Sequence, residues 1–259
     1  MTDDGKPQDA APVPVSALMQ QLEGRGTVRN FKPDPVPQAW CDAIVAHGMR
    51  APTSSNRQEY SIIQVDDPKV RQRLSDLSSN QQHIVECPVF FVICADQNRM
   101  VNALGLHGAE YPAFGLEGGL VSTIDAAFVG LTMSYVADSM GLSNVMIGAM
   151  RNNPVEVAKL LGLPPRCYAV FGLCVGWAAT PPRAKPRHAP DAVFHRETYS
   201  SAAHEAAVTR YDADLAAYYR ARGTETIDAA WSGVMSQKFG TSTRTQLRAQ
   251  LGALGFPFE

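Results

Sequence analysis

The 259-residue sequence is short of most signatures by which an enzyme or a binding module is usually identified. It has no CxxC pair among its five cysteines, no GxSxG elbow and no internal repeat. A serine-hydrolase elbow and a zinc ribbon are therefore excluded as readings. The stretch Gly115–Gly119 (GLEGG) is not GxGxxG and follows no strand-like run, so a Rossmann dinucleotide site has no support. Charge of one sign is also lacking: 23 basic residues face 25 acidic ones, a net charge of −2. No global field draws in nucleic acid or an anionic membrane. His188, His195 and His204 lack metal-ligand spacing. No run approaches the roughly 18 apolar residues of a membrane span. The opening MTDDGKPQDAAPVPVS has neither a basic nor an apolar region of the secretory kind, so the chain reads as cytoplasmic.

What is present is ordinary globular composition, 45% hydrophobic and 19% charged. Disordered, collagenous and disulfide-scaffold classes fall away. Cys41, Cys87, Cys94, Cys167 and Cys174 read as buried reduced thiols, four of them in or beside apolar runs such as VFFVICA and VFGLCVG. Residues 1–16 read as a disordered tail and 17–259 as a single domain, whose C-terminal arm starts at about 178. A short amphipathic turn carries Leu18, Met19 and Leu22. A helix is predicted over Pro35–Met49, a strand over Tyr60–Val65, and a helix from Asp67 as N-cap with Pro68 at N1. Pro88–Ala95 (PVFFVICA) reads as a central strand.

Leu116–Met140 is the longest periodic segment. Leu120, Ile124, Ala127, Phe128, Leu131, Tyr135 and Val136 recur at helical spacing, with small residues between them. The segment reads as a helix buried around most of its girth and ended by Gly141. Asp125 on it pairs with a nearby donor or faces a subunit contact. Asn144–Ile147 is a short strand. Asn153, Pro154 and Glu156 start a helix that Gly162 and Pro164 close. Tyr168–Trp177 is the last strong strand, an extended basic, proline-rich segment follows, and helices are predicted at Glu205–Ala221 and Ser242–Leu254. The fold class is α+β.

Three segments carry candidate chemistry. In Gly24–Phe31 (GRGTVRNF) two arginines, Arg25 and Arg29, flank Gly26 and Thr27, a set suited to a phosphate monoester or equally to a solvated turn. Ala51–Gln58 (APTSSNRQ) offers small hydroxyls and amides that suit the edge of a polar heterocycle, or an ordinary connection. Lys185-Pro186-Arg187 holds two cations on a stiff backbone, fit for phosphate or for a plain linker.

Taken in order, RGTVRNF, APTSSNRQ, the long Ala/Gly-rich helix, NVMIGAMRNNP, FGLCVGW and KPR resemble the nitroreductase family. The likeness is nearest to the branch of the major oxygen-insensitive nitroreductase and flavin reductase P, and it covers roughly residues 18 to 222. The resemblance implies a central, mostly antiparallel sheet surrounded by helices, in an intertwined homodimer with non-covalent FMN at the subunit interface. It implies that Arg25, Lys185 and Arg187 grip the FMN phosphate, with Gly26, Thr27 and Arg29 completing the opening segment and Arg29 toward the ring. Thr53, Ser54, Ser55 and Asn56 would line the flavin, the partner subunit sharing in the pocket. Gln81 would sit near the pyrimidine end, and Ile147, Gly148 and Ala149 would pack close to the ring. The implied activity is two-electron, ping-pong reduction of nitroaromatics, quinones or flavins by NADPH or NADH, with the flavin rather than a side chain as the catalytic group. A flavin carrier or sensor, or a scaffold without flavin, are the rivals.

Three positions depart from the family pattern. Gly26 stands where Arg or His is usual, and IGA replaces IGG. Gly223–Trp231 (GTETIDAAW) has no arginine and two acids, Glu225 and Asp228, where this branch holds NADPH. Weaker discrimination for NADPH, or a preference for NADH, is the expectation.

Overall fold

A computed structural model describes residues 14–112 and 115–258. Thirteen residues of the expected N-terminal tail, 1–13, lie outside it. At its centre is an antiparallel sheet in the order β1-β2-β4-β3, built from Tyr60–Gln64 (β1), Val89–Asp96 (β2), Ser143–Ile147 (β3) and Cys167–Gly176 (β4). Each strand falls within a residue or two of its predicted place. β2 and β4 are buried along their whole length, which is why each reads as an unbroken apolar run. Side chains alternate between two cores. Phe91, Ile93, Tyr168 and Leu173 face one, and Phe90, Val92, Cys94 and Cys174 face the other. A register shift after Ile93 keeps both cores filled.

Ten α-helices surround the sheet among the described residues: α1 (Ala17–Gly24), α2 (Gln38–Gly48), α3 (Pro68–Leu77), α4 (His83–Glu86), α5 (Asn98–Gly105), α6 (Gly115–Ser139), α7 (Pro154–Leu161), α8 (His204–Arg220), α9 (Ser232–Phe239) and α10 (Leu247–Ala253). α2, α6 and α10 cover the first core, and α3, α4 and α7 the second. Asp67 caps α3, its carboxylate accepting from the Lys69 amide at 2.7 Å. Asn153 stands at the start of α7 without capping it, since its amide donates to the Leu77 carbonyl of α3. The short α4, α5 and α9 went unpredicted, and the helix expected over Ser242–Leu254 begins only at Leu247.

α6 overturns its expectation in an informative way. The face turned into the chain's own core mixes small residues, Gly118, Ser122, Ala126, Gly130, Ser134 and Ala137, with Val121, Val129 and Met133. Gly130 is needed there, because a Cβ would run into the Phe171 ring of β4. The large residues Leu116, Leu120, Ile124, Phe128 and Leu131 form an exposed stripe, each between 37% and 46% accessible. Periodicity located the stripe but not the side it faces. By length and composition α6 is also apolar enough to cross a membrane, a match hidden in the sequence by interspersed Gly, Ser and Thr. About half of the qualifying window is buried in the protein.

Candidate functional site

The basic, proline-rich segment after β4 folds back along the opening segment. Phe31 bridges Ala178, the Lys32 amide donates to the Trp177 carbonyl at 2.8 Å, and the Ala179 amide donates to the Asn30 carbonyl at 3.0 Å. Further along, a Cβ on Gly26 would lie 2.7 Å from the Arg183 carbonyl oxygen and 2.8 Å from its nitrogen. A side chain at position 26 would push the two segments apart. The packing therefore excludes a side chain as large as Arg or His at position 26. The Val28 amide donates to the Asn144 carbonyl of β3, so Arg25–Phe31 is held on both sides.

Arg25 is engaged inside the chain. Its Nε donates to Asp138 at 3.1 Å, and its Nη2 to Ser134 Oγ at 2.8 Å and Asn144 Oδ1 at 3.2 Å. Burial pushes the Asp138 carboxyl up, and the Arg25 charge pulls it partly back. A cavity of about 430 Å³ opens beside this pair, with Lys32 and Pro182 in its wall. Thr27 and Arg29 are exposed. Arg29 forms no hydrogen bond or ion pair among the described residues. It lies near His83, whose imidazole is held below its ordinary range by burial and then by the Arg29 charge.

Lys185 donates to Tyr219 Oη of α8 at 2.9 Å, and among the described residues Arg187 donates only to the Lys185 and Pro186 carbonyls. α8 also fixes the backbone between them, because Tyr211 Oη donates to the Pro186 carbonyl. The turn Gly148–Asn152 after β3 carries Gly148 and the buried Ala149, next to buried Ile147. It packs on the loop that holds half-buried Gln81: Asn152 Nδ2 donates to Ser79 Oγ at 2.9 Å. Arg151 of this turn had no sequence signal. Its guanidinium donates to the Val170 carbonyl and lies against Gly148, and burial, then Arg244, lower its pKa.

The loop with Thr53, Ser54, Ser55 and Asn56 is elsewhere. Its anchor is Asp125 of α6, fully buried, which accepts the Ser54 amide at 2.9 Å and the Glu59 amide at 3.2 Å. Asp125 thus pairs with nearby donors, and they are backbone ones. Thirteen residues separate it from Asp138, the partner of Arg25, on the same helix. At 1.5 Å per residue that is about 20 Å. One chain brings together the opening segment, the Lys185–Arg187 segment, the Gln81 loop and the Gly148 turn. It does not bring Thr53–Asn56 to them.

The acidic stretch is less acidic than it reads, because Asp228 is paired with Arg220 of α8. Glu225 forms no ion pair among the described residues. All five cysteines are free and buried. Burial and contact with the Cys87 thiol push Cys174 well above its ordinary value.

An α+β layer with cation-rich segments folded against one end of a long central helix defines a class that other proteins share. The Nitroreductase family model matches residues 22–177, and the model of its C-terminal domain matches 185–259; the chain belongs to the nitroreductase family. It is 36% identical over 223 residues to the oxygen-insensitive NADPH nitroreductase of Salmonella typhimurium, covering 84% of this chain and 89% of that one. It is 33% identical over 250 residues to the FMN reductase [NAD(P)H] of Bacillus subtilis, covering 95% and 100%. The solved structure of B. megaterium NfrA2 superposes with a TM-score of 0.90 at 33% identity, over 95% of this chain and 100% of that one.

Proposed function

We propose that the protein is an FMN-dependent oxidoreductase that uses NADPH or NADH to reduce nitroaromatics, quinones or flavins in two-electron steps. One observation carries the reading. Arg29, Lys185 and Arg187 are exposed, have no carboxylate partner among the described residues, and sit on two segments pinned side by side. Cations left without anions in a fixed array suit a phosphate dianion. This donor set fits FMN, with Arg25 and Thr27 beside it. The family membership and the FMN reductase among the relatives point the same way. The chemistry supplied by bound FMN is two-electron transfer between a reduced nicotinamide and an acceptor.

The residues of this chain divide the remaining work. Lys185 and Arg187 would hold the phosphate, with Arg25 beside them while paired to Asp138, and Gly26 keeps their two segments in register. Arg29 stabilises negative charge near the ring, with Gln81 at its polar edge. Ile147, Gly148 and Ala149 bring backbone close to the ring and exclude water. Thr53, Ser54, Ser55 and Asn56 complete the pocket from a second copy of the chain. The exposed stripe Leu116–Leu131 supports that homodimer, since a two-fold contact is isologous and covers the stripe of each copy with that of the other. With the two-fold axis perpendicular to α6, that contact would set one chain's Asp125 end toward the other's Asp138 end and so span the roughly 20 Å between the two half-sites. A single domain with a C-terminal arm is part of the reading, supported by Leu251 and Phe256 in the core beside α6. Five unpaired buried thiols support a cytoplasmic setting.

The test is a visible spectrum of the purified protein, taken before and after anaerobic addition of NADH or NADPH. Flavin bands that bleach within seconds are expected, with NADH at least comparable to NADPH because Glu225 repels a 2′-phosphate. A hundredfold preference for NADPH overturns the donor assignment. Flavin bands that neither nucleotide bleaches favour a carrier or sensor, and no flavin after soaking with FMN removes the reading altogether.

A further inference from the structure

The loop Thr53–Gln58 is exposed at Ser54, Ser55, Asn56 and Gln58, yet its backbone is anchored from the interior at both ends. Ser55, Asn56 and Gln58 have φ of +49°, +57° and +52°, and none is glycine. Left-handed backbone is unfavourable for such residues and persists only where the surroundings enforce it. The enforcement comes from two buried carboxylates. Asp125 accepts the Ser54 amide on Oδ1 and the Glu59 amide on Oδ2, so one side chain brackets the loop. Glu59, also fully buried, accepts Arg57 Nε at 2.9 Å and Tyr111 Oη at 2.8 Å on Oε1, and Ser122 Oγ at 2.7 Å on Oε2. Ser122 and Asp125 are three residues apart on α6. Burial and then the Glu59 hydrogen bond push the Tyr111 phenol up to about 12, which keeps it a donor. From the far side Arg99 Nη2 donates to the Gln58 carbonyl at 2.9 Å.

Two buried carboxylates are costly unless fully satisfied, and here they tie an exposed loop to the core: Asp125 takes the amides at its two ends, and Glu59 joins Arg57 of the loop to buried Tyr111 and Ser122. We infer that Asp125 and Glu59 are positioning residues, which preset the loop in the conformation that receives the flavin before it binds. The inference rests on the reading that this loop lines the cofactor. Asp125→Asn is the direct perturbation, because an amide keeps the volume but can accept only one of the two backbone N–H groups. On apoprotein, hydrogen exchange at the Ser54 and Glu59 amides should accelerate roughly ten- to hundredfold. The Kd for FMN, read by quenching of flavin fluorescence, should rise about tenfold or more. Adding Gln58→Gly, which relieves left-handed strain, should recover part of that affinity.

Unchanged amide exchange overturns the anchoring role. Faster exchange with unchanged FMN affinity overturns the assignment of this loop to the flavin, while leaving the phosphate segments untouched. Lost affinity that Gln58→Gly does not recover makes Asp125 a general support of the fold and overturns the inference. Should Asp125→Asn not fold by circular dichroism, Ser122→Ala removes one hydroxyl bond to Glu59, and the same readouts apply at about three- to tenfold.

Discussion

Gly26→Ala tests whether the close approach of the opening segment and the segment before Lys185 assembles the site. One added carbon would lie 2.7 Å from the Arg183 carbonyl oxygen, and the obstacle is backbone rather than a flexible side-chain tip. Reaching ordinary contact requires the neighbouring chain to yield by about 0.7 Å. Overpacking of this kind costs about 1–3 kcal/mol. For a chain of this size that lowers Tm by roughly 2–10 °C. The displaced segment leads to Lys185 and Arg187, so the variant should also lose part of two charge-assisted phosphate bonds, about tenfold or more in FMN Kd. Differential scanning fluorimetry of apoprotein and flavin-fluorescence titration read the two effects separately. Gly24→Ala is the control, since a Cβ there meets nothing within 4 Å; at the end of α1 it should lower neither Tm nor FMN affinity. Gly26→Ala with wild-type Tm and wild-type FMN affinity would refute the reasoning.

Lys185→Ala with Arg187→Ala removes two phosphate partners worth about 1.5–3 kcal/mol each, so FMN retention after dialysis should fall between tenfold and several thousandfold. Unchanged flavin content would count against them. Phe128→Glu places a charge on the exposed stripe of α6; it should leave each subunit folded and raise the dimer Kd some thirtyfold or more, read by sedimentation velocity. A monomeric wild type that retains FMN would dispose of the shared site. His83 is held below its ordinary pKa of about 6.5 in the folded chain, so the unfolded chain binds the extra proton first. Its contribution to stability is complete above about pH 6.5 and is lost as pH falls through the lower folded value. His83→Gln should flatten the loss of Tm between about pH 7.5 and about pH 5, and a parallel loss in the variant would assign the acid sensitivity to other groups.

The sheet was legible because β2 and β4, buried on both faces, leave continuous apolar runs that no solvated element would carry. α6 was legible as a helix but not in orientation. A stripe of Leu, Ile and Phe looks the same whether it meets its own core or a second chain, and the face that does meet the core, with Val129 and Met133 among Gly, Ala and Ser, carries the weaker hydrophobic signal. The loop that Asp125 anchors and the Gly26–Arg183 approach were illegible for another reason. Both involve backbone groups far away in sequence, and a backbone partner leaves no residue type to recognise. Arg71 is the same case in the second core, where a buried guanidinium donates to the Val65, Cys87 and Pro88 carbonyls. The cationic segments were legible as phosphate-compatible but not as neighbours, since their meeting depends on how the chain returns after β4.

Three jobs fall on one helix. α6 anchors the Thr53–Gln58 loop through Asp125, holds Arg25 through Asp138 and Ser134, and presents the stripe on which the proposed dimer rests. If one chain supplies the loop and the other the cations, cofactor binding and dimerisation are linked. A two-fold dimer holds two such pockets, so saturating FMN must raise dimer affinity by the square of the factor that dimerisation adds to FMN affinity at each site. The equality can be measured on the protein as it exists. Sedimentation with and without FMN gives the dimerisation factor, and FMN titration of wild type against monomeric Phe128→Glu gives the FMN factor. A dimerisation factor equal within error to the square of the FMN factor, both well above one, is expected. A Phe128→Glu monomer that binds FMN as tightly as the wild-type dimer would mean that a single chain completes the site, with the Thr53–Gln58 loop serving some other end.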